Sequence, residues 1–180
     1  MTLRTSPFVV PFLVLSALFG CASHPATRLA QDGSTTIYLV RHAEKLDPHD
    51  PDTPLSPVGE QRAKDLATTL AKSGVRAIYA TDRIRTQRTV APLAALHGIE
   101  VIVLRAEDTA GLVERITTQD KGKVVVVAGH SNTVPGIVKA LSGITVDGLS
   151  EEQFDRLFKV VLPPDGTPEV TVLRYGAETP

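Results

Sequence analysis

The run Val124-Val125-Val126-Val127-Ala128 constrains the fold most tightly, because it leaves no polar position to face water. A β-branched run of strand length that is apolar throughout fits a central strand covered on both faces, as in a parallel sheet flanked by helices. Thr36–Arg41, Ala77–Ala80 and Val101–Leu104 are further runs of strand length. Helical patterns separate them. Ser56 supplies an N-cap, Pro57 the first helical position, and Ala63, Leu66, Ala67, Leu70 and Ala71 an apolar face ended by Ser73-Gly74. A second helix is predicted from Arg83 to Leu96, stopping at Gly98, with Pro92 kinking or splitting it. Thr109–Thr118 and Asn132–Leu141 read as two more. Phe158–Leu162 and Val170–Arg174 flank Pro163-Pro164-Asp165-Gly166, a turn signal that makes them a hairpin. The expected architecture is α/β and three-layered, a mostly parallel central sheet with helices on both faces and a late β-hairpin.

A chain of 180 residues suits one domain, here placed at 35–176. Its formal charge of −1 lacks the basic excess expected of a nucleic-acid partner. The single cysteine excludes an internal disulfide framework and a structural zinc site.

Residues 1–20 read as a secretory signal. Arg4 precedes an uncharged stretch, and the apolar run Phe8–Phe19, broken by Pro11, is shorter than the ~20 residues that span a bilayer. Leu18-Phe19-Gly20-Cys21 resembles the bacterial lipoprotein processing site, which implies lipidation of Cys21. An ordinary signal peptide cut near Ala22 is the alternative. Residues 22–34 have no apolar periodicity and read as a tether. The expectation is an exported, periplasm-facing domain that meets the membrane only through its N-terminal anchor, at the outer membrane if the cell has one.

Two predicted strands run straight into histidine, one ending Arg41-His42 and the other Gly129-His130. In such sheets ligands bind at the C-terminal strand ends. Arg85, at the opening of the second helix, can reach the same edge. Two imidazoles and two guanidiniums there suit a small dianion, and the set is not a metal cage. Helix N-termini following Gly59, Asp82 and His130 are expected to add backbone N–H donors. Each residue has a plainer reading as well. His42 could end a strand, His130 could be a core histidine, and Arg85 competes with Arg83 and Arg88 on one helix. Asn132 could be a helix cap or a substrate contact. Gly59 and Thr89 read as packing positions, and Glu44-Lys45 as a surface pair. Asp47–Pro54 reads as a loop beside His42 that shapes substrate access.

Leu39-Val40-Arg41-His42-Ala43-Glu44, Leu55-Ser56-Pro57-Val58-Gly59, Thr81-Asp82-Arg83-Ile84-Arg85-Thr86-Gln87-Arg88-Thr89 and Gly129-His130-Ser131-Asn132 together resemble the histidine phosphatase (phosphoglycerate mutase-like) superfamily. The resemblance implies that His42 is a nucleophile that is transiently phosphorylated. Arg41, Arg85 and His130 would hold the phosphoryl oxygens, and no metal or cofactor is implied. Neutral imidazole must attack, so the other ring nitrogen of His42 needs a fixing acceptor. Some branches carry an acid directly after the second histidine, where this chain has Ser131. Others place a Glu after the third strand, which favours Glu107 as general acid ahead of Asp108 and Glu44. The expected activity is metal-independent hydrolysis of a small phosphorylated molecule or phosphoprotein. An anion-binding module without turnover ranks second and a mutase third.

Overall fold

The computed structural model describes residues 1–2 and 33–180. The expected signal segment, Cys21 and most of the tether lie outside the described residues. From residue 35 the chain alternates as expected: β1 (Thr35–Arg41), α1 (Pro57–Leu70), β2 (Val75–Thr81), α2 (Ile84–His97), β3 (Val101–Leu104), α3 (Thr109–Thr118), β4 (Val124–Gly129), α4 (Val134–Ser142), β5 (Arg156–Leu162) and β6 (Glu169–Arg174).

The strands form one sheet in the order β3-β2-β4-β1-β5-β6. β1 to β4 are mutually parallel, and the β5–β6 hairpin joins antiparallel through β5 on β1. The valine run is buried on every residue. Val124, Val126 and Ala128 pack on one face with Leu66 and Leu70 of α1 and Val90 and Leu93 of α2. Val125 and Val127 face the other side, against Leu112 and Ile116 of α3 and Ile137, Val138 and Leu141 of α4. Period-two alternation along an apolar strand therefore feeds two separate cores.

Helix boundaries follow local chemistry. Ser56 Oγ accepts from the Gly59 N–H to cap α1, and Gly98 ends α2 in the left-handed conformation at φ 64°. Pro92 does not split α2, which runs unbroken from Ile84 to His97. Burial of Val90, Leu93 and Ala94 on either side of Pro92 holds the helix through the missing N–H. α4 begins at Val134 rather than Asn132, because the N–H groups of Thr133 and Val134 both return to the His130 carbonyl and form a turn first.

Candidate functional site

Strand order brings the carboxyl ends of β2, β4 and β1 side by side. In parallel register Arg41 lies opposite Gly129, and the His42 N–H continues the ladder to the Gly129 carbonyl at 2.9 Å. His42 and His130 therefore emerge together, with ring centroids 5.4 Å apart. Arg85, the second residue of α2, points a guanidinium nitrogen at His130 Nδ1 at 3.5 Å. The arrangement brings together the two histidines and two arginines singled out in the sequence.

His42 is buried, and its Nδ1–H donates to the Ala43 carbonyl at 2.8 Å. A carbonyl only accepts, so this bond fixes the tautomer and leaves the Nε2 lone pair free. Burial, reinforced by the charges of Arg41, Arg85 and His130 against the opposing Ala43 hydrogen bond, pushes the His42 pKa down to about 3. Burial and the charges of Arg85, Arg83 and Arg41 bring His130 down to about 4. Both rings are neutral near pH 7. Because Arg85 can only donate, His130 Nδ1 accepts, and its Nε2–H donates to Thr81 Oγ1 at 3.1 Å. Thr81 in turn lies 2.9 Å from the hydroxyl of Thr86, so β2 and α2 orient the second imidazole.

Thr89 ties α2 to the His42 turn: its hydroxyl accepts from the Ala43 N–H at 2.9 Å and donates to the Arg85 carbonyl. Gly59 is a packing position, as expected, since a Cβ there would lie 2.3 Å from the Glu44 carbonyl oxygen. The expected donors at the helix N-termini are taken by the chain itself. The Gly59 N–H goes to Ser56, the Ile84 N–H to Asp52 Oδ1 and the His130 N–H to Thr133 Oγ1. The Asp47–Pro54 loop does reach the site, because Arg85 also donates to the Pro51 carbonyl at 2.7 Å.

Arg41 sits beside His42 but is engaged elsewhere as well. It donates to the Ser150 and Gln153 carbonyls at 2.8 and 3.3 Å and to Glu151 Oε2 at 2.7 Å, and it stacks 4.2 Å over the Phe154 ring. Glu151 Oε1 accepts from the Ser131 hydroxyl at 2.7 Å. The Nε atoms of both Arg41 and Arg85 are buried without a hydrogen-bond partner among the described residues. Buried unsatisfied N–H groups are costly, and the charges of both arginines act on His42.

The three candidate acids separate. Glu107 lines an open cleft of about 510 Å³ with His42, Lys45, Arg83, Arg85, His130, Ser131, Asn132 and Glu151. Asp108 instead caps α3, accepting from the Gly111 N–H. Glu44 is not the expected surface group. It makes a bidentate pair with the buried Arg62, whose remaining donors hold the Tyr175 and Ala177 carbonyls. Asn132 is exposed on the cleft and is not the cap of α4, which is Thr133. Sequence reasoning missed Glu151, Phe154 and Thr81. Only Thr81 carried a signal, standing at the end of a strand within a matched motif.

Residues 37–106 match the model of the histidine phosphatase superfamily (branch 1). A protein named probable phosphoglycerate mutase GpmB from Shigella dysenteriae is 38% identical over 72 residues, which is 37% of this chain and 34% of the relative. Its namesake from an Enterobacter species is 33% identical over 99 residues, 48% of this chain and 46% of the relative. The match thus spans about a third to a half of these curated relatives. Among solved structures, mycobacterial glucosyl-3-phosphoglycerate phosphatase superposes with a TM-score of 0.65 at 13% identity, covering 79% of this chain and all of that one. The protein histidine phosphatase SixA, complexed with tungstate, gives 0.64 at 17% identity, covering 77% and 96%. At these identities the likeness is one of fold.

Proposed function

We propose that the chain is a member of the histidine phosphatase superfamily, whose model matches residues 37–106, and that it hydrolyses phosphoryl compounds through a phosphohistidine formed on His42. The observation that carries the reading is the bond from His42 Nδ1–H to the Ala43 carbonyl, which leaves Nε2 unprotonated where the charges of Arg41 and Arg85 act. In the first step His42 Nε2 attacks phosphorus, the N–P bond forms and the P–O bond to the alcohol breaks. Glu107, on the cleft wall, gives its proton to the departing oxygen. Arg41 and Arg85 stabilise charge on the phosphoryl oxygens throughout, with His130 beside them oriented by Thr81 and Arg85. A water then gives its proton to Glu107 and attacks the phosphohistidine, releasing phosphate and neutral His42. The cycle conserves atoms and needs no redox partner.

The N-terminal segment, read as a signal with lipidation at Cys21, would place this reaction outside the cytoplasm on a membrane tether. A second reading, anion binding without turnover, is favoured by the engagement of Arg41 with Glu151. Steady-state hydrolysis of phenyl phosphate by the full chain and by His42→Ala separates the two. The phosphatase reading expects activity that His42→Ala lowers by at least about a thousandfold, the scale of losing a nucleophile. A folded chain that binds phosphate without turnover contradicts it.

A further inference from the structure

Arg41 is seated by a stretch of chain that is distant from it in sequence. Its guanidinium donates to the carbonyl of Ser150, 109 positions on, and to that of Gln153, and it lies 4.2 Å over the Phe154 ring. Ser150 and Gln153 close a turn on each other, the Gln153 N–H on the Ser150 carbonyl and the Ser150 N–H on Gln153 Oε1. The anchor of that turn lies further along the chain. The Thr179 hydroxyl accepts from the Phe154 and Asp155 N–H groups at 3.1 and 3.4 Å and donates to Asp155 Oδ1 at 2.7 Å. Its one proton and both lone pairs are thereby used.

Asp155 is fully buried and takes no part in the chemistry proposed for His42. Arg174 donates to its Oδ2, Arg156 Nε lies 3.9 Å from its Oδ1, and the Tyr175 N–H donates to its carbonyl at 3.0 Å. A buried carboxylate is costly unless donors surround it, so these bonds pin Asp155 in one place. Gly176 adopts the left-handed conformation at φ 65°, and the chain turns so that Thr179 meets Asp155. The Tyr175 and Ala177 carbonyls also hold Arg62, which holds Glu44. Residues 175–179 thus support Arg41-His42 from two sides, through the loop under Arg41 and through the turn after His42.

We infer that Thr179 and Asp155 are positioning residues for Arg41, orienting its guanidinium through Phe154 and the Ser150 and Gln153 carbonyls, an inference that rests on the reading of Arg41 as a phosphoryl ligand. Donors stabilise an anion well only when the groups behind them fix their geometry in advance. Glu151 keeps its own tie to Ser131. Loosening the loop at Thr179 therefore costs Arg41 its orientation without removing the carboxylate that competes with phosphate.

Calorimetric titration of the full chain with inorganic phosphate tests the assignment. Thr179→Val keeps the side-chain shape without the hydroxyl and is expected to weaken phosphate binding about fivefold, the scale of one hydrogen bond. Thr179→Ser restores the hydroxyl and should bind as the parent does. In an Arg41→Met background, which retains Arg85, Thr179→Val should bring no further loss, because the route ends on Arg41. Phe154→Leu leaves the Thr179 bonds in place and interrupts the same route, so it should weaken binding about threefold even if Thr179→Val does not fold. Melting temperatures check the fold of each variant. Parent affinity in a folded Thr179→Val or in Phe154→Leu, or an equal loss from Thr179→Val with and without Arg41, overturns the positioning role and leaves the phosphoryl site standing. A parent chain that binds no phosphate overturns the phosphoryl reading and the positioning role together. Phenyl phosphate hydrolysis by the same preparation reports on turnover separately.

Discussion

The guanidinium of Arg41 and the carboxylate of Glu151 lie 2.7 Å apart, although the residues are separated by 110 positions in the chain. The pair joins a buried cation next to His42 to a side chain that is 76% exposed at the cleft. Ser131 holds the other oxygen of the carboxylate, and that hydrogen bond, with the positive charges of Arg41 and Lys45, keeps Glu151 below the ordinary carboxylate range. An incoming phosphoryl group therefore meets a fixed negative charge already seated on Arg41.

Replacing Glu151 by Gln keeps an acceptor for Ser131 and removes the competing charge. Inorganic phosphate should then inhibit about threefold to tenfold more strongly, the scale of one exposed ion pair or slightly more. Competitive inhibition constants for the parent and Glu151→Gln measure this. Equal or weaker inhibition of the variant would assign Glu151 a purely structural part.

Glu107 should matter in proportion to how badly the leaving group needs a proton. Glu107→Gln is expected to lower kcat for an alkyl phosphate by about a hundredfold or more, the range of general acid catalysis, and for 4-nitrophenyl phosphate by only a few-fold. Parallel assays with the two esters test the assignment. Equal losses with both would move the acid elsewhere.

The depressed histidines make stability depend on pH. His42 and His130 titrate at about 3 and about 4 in the folded protein, against 6.5 for the unperturbed imidazole. Below 6.5 the unfolded chain binds protons that the folded one refuses, so their contribution is complete above 6.5 and is lost as pH falls toward 4 for His130 and toward 3 for His42. Well below 6.5 each histidine accounts for a slope of about 1.4 kcal/mol per pH unit. Urea unfolding between pH 7 and 4.5 should show this slope reduced in His130→Ala. The same shifts keep His42 neutral at pH 5.

Arg62 and Glu44 anchor the turn after His42. Arg62 is 2% exposed and ties Glu44 to the carbonyls of Tyr175 and Ala177. Arg62→Ala leaves a partly buried carboxylate and two carbonyls unpaired, and should cost about 3 kcal/mol of stability. Denaturant titration reads this directly. A cost below about 1 kcal/mol would mean that the turn is held by its packing alone.

Much of the fold was legible because local chemistry decides it. The valine run, the Ser56-Pro57 start and the Thr109–Thr118 helix carry their own signals. His42, His130 and Arg85 were legible for the same reason, standing where strands end and a helix opens. Glu151 and Phe154 were not. They belong to residues 143–155, a stretch without helix or strand that reaches Arg41 because antiparallel pairing of β5 on β1 sets Leu157 opposite Val40. Glu44 was misread because its partner, Arg62, becomes a neighbour only once α1 packs against the turn at Gly59.

The central claim is that His42 Nε2 takes the phosphoryl group. Rapid acid-free quenching of the full chain with phenyl phosphate, followed by mass analysis of the peptide carrying His42, tests it most directly. One added phosphoryl group on that peptide, stable in base, lost in acid and absent from His42→Ala, is the expected result. Hydrolysis at full rate in His42→Ala, or a phosphoryl group carried by His130 instead, would contradict it.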